Sequence, residues 1–132
     1  LVFASICALP MGWEYSVAIV QFVQRHIAKL ARIDPSRELR SDRPFPSYGA
    51  PSPSQSRSVY GIYVDNFDEI DIVKSDAIPP PSLSANQQNL QRVKDELGIP
   101  MNMDKRVVGA LKTDLLGFEM DGERGIVATP TV

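Results

Sequence analysis

Apolar positions along the chain change their period several times, and the changes mark out the elements. Residues 1–8, LVFASICA, are nearly all apolar, β-branched or small, and Pro10 and Gly12 follow. That pattern predicts a short buried strand and a turn. From Glu14 the step lengthens to three and four residues at Ile19, Val20, Val23, Ile27 and Leu30, with Gln21, Gln24, Arg25 and Lys29 on other faces. An amphipathic helix over 15–32 is expected. Val59 to Val64 is a second apolar run, and Glu69 to Val73 alternates, so a β-hairpin with its turn at Asp65–Asp68 is predicted. Ser84 and Gln87 have capping-box spacing, Leu90, Val93 and Leu97 form a helical stripe, and Gly98 stops it. Leu115, Leu116 and Phe118, a turn around Asp121–Gly122, and Ile126–Val127 read as a second hairpin.

The order strand, helix, hairpin, helix, hairpin argues for an α+β fold with two helices covering one face of an antiparallel sheet. Residues 34–57 interrupt it. They carry Pro35, Pro44, Pro46, Pro51, Pro53 and six serines, with few aliphatic residues. Such a stretch buries too little to offset its ordering entropy, so a flexible insertion is expected there.

The 132 residues suffice for one modest domain, with 43% hydrophobic and 23% charged residues and a net charge of −2. The charge is uneven. Arg25 to Arg43 holds six basic and three acidic residues, and Asp65 to Asp71 holds four acids and no base. A polyanion and a metal are the partners such patches would suit, and two solvated surfaces are the simpler reading. Cys7 is the single cysteine, which rules out an internal disulfide and suits a reducing, intracellular compartment better than a secreted one. No segment is long enough to span a membrane. LVFASICA lacks the basic residues that would precede the apolar part of a signal peptide, and a chain beginning at Leu1 is expected to be part of a longer product.

Asp65 at a hairpin tip reaches solvent from a rigid backbone, a suitable mount for a divalent-metal ligand. By spacing alone, ordinary turn chemistry is the stronger reading. LPMGW enters a helix whose first N–H groups can meet a phosphate. Lys105 can give a proton or a positive charge to a leaving phosphate, although exposed lysines usually do neither. Trp13, Tyr15, Tyr60 and Tyr63 are able to stack on bases, with core packing the default for Tyr60. His26 receives no role.

In combination these segments resemble the second half of a reverse transcriptase palm, most closely that of gypsy-like LTR retrotransposons. The residues that carry the likeness are ALPMGWEYSVAIVQ, YVDN, LGIPMNMDK and LLGFEMDGERGI, in that order. Leu9, Pro10, Gly12 and Gln21 match a turn and helix that line the incoming nucleotide's pocket in that family. Tyr63, Val64 and Asp65 match its metal-binding Y-x-D-D hairpin. Gly98, Asn102 and Lys105 match the segment after the next helix, and Leu116, Gly117 and Gly125 match a hairpin that grips the primer end. The resemblance covers the chain apart from 34–57.

It implies a partial palm with an antiparallel palm-like sheet, and templated nucleotidyl transfer with Mg²⁺ in the full-length protein. Asp65 and Lys105 would be catalytic, Asp65 and Asn66 would face the metal, and Pro10, Gly12, Gln21 and Tyr63 would line the substrate site. Leu116 and Gly117 would touch the primer. Template–primer of RNA or DNA and a dNTP are the implied partners, with fingers, thumb and the N-terminal palm supplied from outside these residues. Three departures weigh against activity: Asn66 stands where the family has a second aspartate, the family's first catalytic aspartate would lie upstream of Leu1, and 34–57 separates two motifs. A non-catalytic retroelement remnant, a reused binding module and a small α+β interaction domain are the alternatives.

Overall fold

The computed structural model describes Leu9 and residues 12–46, 58–71 and 82–129. The strand expected at 1–8, with Cys7 and Pro10, lies outside the described residues. The chain divides into two compact units, Leu1–Asp71 and Ile72–Val132.

In the first unit, the 3.6-residue period produces helix α1, Glu14–Leu30. Its packed face is not the whole stripe counted in the sequence. Gln24, Ile27 and Ala28 are buried. Ile19, Val23 and Leu30 are exposed, as are Tyr15 and Phe22, the last at 72%. The helix carries apolar residues on two arcs, and only the arc centred on Gln24 is covered. It ends in a Schellman motif: Arg32 N–H donates to the Lys29 carbonyl at 3.0 Å and Ile33 N–H to the Ala28 carbonyl at 3.1 Å. Arg32 takes the left-handed position at φ 57°, and Ile33 and Ala28, the pair that closes such a motif, are both buried.

Residues 34–46 are pinned at many points, which the flexible insertion expected over 34–57 did not anticipate; 47–57 lie outside the described residues. Asp34 caps a 3₁₀ turn, Pro35–Arg37, by accepting from Ser36 N–H at 2.9 Å. Glu38 then forms a parallel bridge with Tyr60, and Leu39 N–H donates to the Tyr60 carbonyl at 2.6 Å. Arg25 pairs with Glu38 and Arg40 with Asp42. Arg37 donates to the Ser58 carbonyl at 3.0 Å, and Arg43 to the carbonyls of Pro35 and Glu38. The basic run thus spends four of its arginines on holding the segment.

Strands β1, Val59–Tyr63, and β2, Asn66–Ile70, pair antiparallel with Tyr63 opposite Asn66 and Val59 opposite Ile70. The turn is Val64–Asp65, not Asp65–Asp68. Phe67 stacks on Tyr60 with ring centroids 5.1 Å apart, which draws Asn66–Asp68 into the strand against their turn propensity. Val59, Tyr60 and Ile62 are buried, each worth about 1.5–3 kcal/mol of apolar transfer.

In the second unit, helix α2 covers Ala85–Glu96. Ser84 Oγ accepts from Gln87 N–H at 3.1 Å, and Gln87 Oε1 accepts from Ser84 N–H at 3.2 Å, which completes the expected capping box. Gly98, at φ 68°, ends the helix: its N–H meets the Asp95 carbonyl and Ile99 N–H the Lys94 carbonyl. Leu90 and Val93 are buried, while Leu97 is exposed. Three strands follow, β3 (Lys112–Leu115), β4 (Phe118–Asp121) and β5 (Ile126–Ala128), as an antiparallel meander. The expected hairpin is β4–β5, and the preceding turn at Leu116–Gly117 adds β3.

The class is therefore α+β, with two helices and small antiparallel sheets. The described strands form two separate sheets, of two and three strands, rather than one sheet carrying both helices. Among the described residues, pairing between the named strands stays local, within each chain reversal, and the parallel Glu38–Tyr60 bridge is the long-range exception.

Candidate functional site

The best-built feature among the expected site residues is the tip of the β1–β2 hairpin. Tyr63 and Asn66 close the hairpin as a directly opposed pair, leaving Val64 and Asp65 as a two-residue turn. Such turns ordinarily take Asn, Asp or Gly where φ is positive. Here Val64 is at φ 54°, in a region β-branched residues rarely enter.

Alternation along an antiparallel strand sends the main-chain groups of Tyr60 and Ile62 away from β2. Each carbonyl meets a donor from elsewhere. Leu39 serves Tyr60, and the Gln21 side-chain amide serves Ile62 at 2.6 Å. The oxygen of the same amide accepts from Val64 N–H at 2.8 Å. Three residues further along α1, Gln24 Nε2 donates to the Asp65 carbonyl at 3.2 Å. Polar side chains of α1 thus complete the outer edge of β1 as far as the tip.

The Asp65 side chain is exposed and makes no hydrogen bond or ion pair among the described residues. Asn66 is exposed beside it, and Tyr63 is 56% exposed. Tyr63, Asn66 and Asp68 share one face of the hairpin, with Gly61 opposite Asp68. A side chain at Gly61 would meet nothing within 4 Å, so that face is open at this point. Partial burial raises the Asp68 carboxyl above its ordinary range. On the other face, Tyr60 is pushed up to about 12, first by burial and then by the nearby charge of Glu38.

Of the expected residues, Gln21, Tyr63, Asp65 and Asn66 come together here. Gln21 faces the hairpin backbone with both ends of its amide, where a pocket-lining role was expected. Gly12, at φ 87°, precedes α1 and suits glycine there. Trp13 is the N-cap of α1, and its ring meets Tyr15 edge-on at 5.6 Å. In the second unit, Lys105 ends an exposed 3₁₀ turn, Met103–Lys105, whose start is capped by Asn102 accepting from Asp104 N–H at 3.1 Å. Leu116 and Gly117 form the β3–β4 turn with φ 51° and 82°, and Leu116 is 52% exposed.

Gln24 was not singled out by the sequence as a site residue, and Val64 entered only as part of the Y-x-D-D match, with no role of its own. Gln24 looked like one more polar residue on a helix, and its i, i+3 relation to Gln21 was the available signal. Among the described residues, no three acidic, histidine or cysteine side chains converge to hold a metal ion. A shallow concavity lined by Leu39, Arg40, Ser41, Arg43 and Phe45 includes none of the site residues. Compared with protein-family models, curated proteins and solved structures, the chain finds no match.

Proposed function

We propose that the chain is part of the palm of a retroelement reverse transcriptase, and that the complete polymerase carries out templated nucleotidyl transfer. The observation that carries this reading is the free Asp65 carboxylate on a two-residue hairpin tip, braced by a helix that follows an LP-x-G segment. Mg²⁺ binds through one or two carboxylates together with substrate phosphate oxygens, and an exposed carboxylate with no partner among the described residues fits that use. Asp65 would hold the ion, with Asn66 beside it as a neutral and weaker donor. The ion would neutralise triphosphate charge and favour attack by the primer 3′-hydroxyl. By resemblance, Tyr63, Pro10 and Gly12 would line the nucleotide site, Lys105 would assist the leaving pyrophosphate, and Leu116 and Gly117 would contact the primer.

A single carboxylate is a poor two-metal clamp. Residues 1–132 alone are expected to extend no primer with Mg²⁺ or Mn²⁺, and Asp65-dependent extension would refute that expectation. Asn66 also favours a second reading, a non-catalytic remnant or reused binding module. Sequencing the transcript upstream of Leu1 separates the two. An in-frame apolar strand carrying an aspartate supports the polymerase, whereas an in-frame stop codon there supports the remnant.

A further inference from the structure

We infer that Gln21 and Gln24 are positioning residues: α1 fixes the direction of the Asp65 side chain by clamping the main chain of the hairpin tip. The use of Asp65 as a metal carboxylate rests on the function proposed above; the clamp itself rests on geometry.

Val64 is the residue that needs holding. Left-handed backbone is disfavoured for any residue with a Cβ, and β-branching adds crowding. A two-residue turn with valine at φ 54° would relax if nothing opposed it. The opposing contacts are specific. Gln21 accepts from Val64 N–H at 2.8 Å and donates to the Ile62 carbonyl at 2.6 Å, so its planar amide spans the residues either side of Tyr63. Both ends are matched to their partners, which fixes the amide's orientation. Gln24, 8% exposed, adds the Asp65 carbonyl at 3.2 Å. Main-chain groups of residues 62, 64 and 65, which the β1–β2 ladder does not satisfy, are therefore all met from one face of one helix. With the 63–64 peptide unit held through the Val64 N–H and the 65–66 unit through the Asp65 carbonyl, the backbone on either side of the turn is fixed and the Cα–Cβ bond of Asp65 has one direction relative to α1. Neither glutamine needs to touch a ligand to affect one bound by Asp65.

The test uses the full chain 1–132, NMR amide exchange, and Mn²⁺-induced broadening of the Asp65 and Asn66 amide signals. Gln21→Met is expected to speed exchange of the Val64 amide and weaken Mn²⁺ at the tip, each about tenfold, the scale of one lost hydrogen bond. Gln24→Met, which loses the longer contact, is expected to weaken Mn²⁺ about threefold with helical circular dichroism unchanged. The distinguishing readout is rescue. Asparagine tolerates the left-handed region, so Val64→Asn in the Gln21→Met background should restore most of the Mn²⁺ affinity. Unchanged Val64 exchange in Gln21→Met, or no recovery on adding Val64→Asn, would overturn the inference. Should Gln21→Met unfold the chain, Gln24→Met decides, and unchanged tip signals there count against the clamp. A wild-type tip that ignores Mn²⁺ counts against Asp65 as a metal ligand, while the exchange data still decide the clamp.

Discussion

Glu38, with 6% of its side chain exposed, accepts a 2.7 Å hydrogen bond from Nε of Arg25 on α1. The contact ties the segment after α1 back to the helix where Glu38 also bridges β1. Arg25 is 39% exposed, so the pair is partly screened. Its asymmetry governs what substitutions do. Arg25→Met would strand a buried carboxylate and is expected to cost about 2–3 kcal/mol, below the range for a fully buried pair. Glu38→Gln leaves an amide to share the site and an arginine that can reach water, so its cost should be smaller. Urea denaturation of both variants checks the order, and an Arg25→Met loss no larger than that of Glu38→Gln would show that Glu38 is satisfied by other groups.

Tyr60 lies close to that carboxylate, and its hydroxyl is raised from 10.0 to about 12 by burial first and by the charge of Glu38 second. The folded state therefore keeps a proton that the unfolded chain releases near pH 10.0. This contribution to stability is fully present below that pH and is lost as the pH rises through about 12. Phenolate absorbance should show one tyrosine titrating late in the native protein, and Glu38→Gln should move that titration earlier. Four tyrosines titrating together near the ordinary value would contradict the buried position of Tyr60.

Asp68 titrates at the other end of the scale. Burial raises its carboxyl above 3.8, so the folded state binds the proton more tightly than the unfolded chain. The favourable term is present at pH below 3.8 and disappears as pH rises through the raised value. At neutral pH the part-buried charge is a net cost. Asp68→Asn should then be more stable than wild type at neutral pH, with the difference closing on acidification into the ordinary carboxylate range. A gain that persists unchanged in acid would assign the effect to packing rather than charge.

The elements that local chemistry dictates were legible in the sequence. Ser84 and Gln87 announced the start of α2 and Gly98 its end, because a cap needs its residues only a few positions apart. The hairpin at 59–70 was legible as two apolar runs, but its turn was displaced. Asp65, Asn66 and Asp68 favour turns locally, while the Tyr60–Phe67 stack that makes them strand is a cross-strand contact. The segment 34–46 has the composition of a loop, and what holds it is long-range: arginine side chains reaching Glu38, Ser58 and main-chain carbonyls. The bracing role of Gln21 and Gln24 was hidden for a related reason. Glutamines on a helix usually face water, and only a strand with unsatisfied carbonyls beside them turns them into structural groups.

Leu116 allows structure and function to be separated in the second unit. With Gly117 it forms a two-residue turn in which both residues have positive φ, at 51° and 82°. That is the arrangement in which Asn-Gly is favoured and leucine is not. The side chain is 52% exposed, so little packing is lost on removing it. Leu116→Asn is therefore expected to stabilise the chain by about 1 kcal/mol, through relief of left-handed strain. No gain in the urea midpoint would mean that the leucine side chain contributes packing equal to its strain. If Leu116 grips a primer end, the same variant in a complete polymerase should bind primer–template more weakly while being more stable. The loss should also show little change in salt slope, because an apolar contact releases no counterions. A more stable polymerase with unchanged primer binding would remove Leu116 from the primer contact and leave its backbone strain without a functional account.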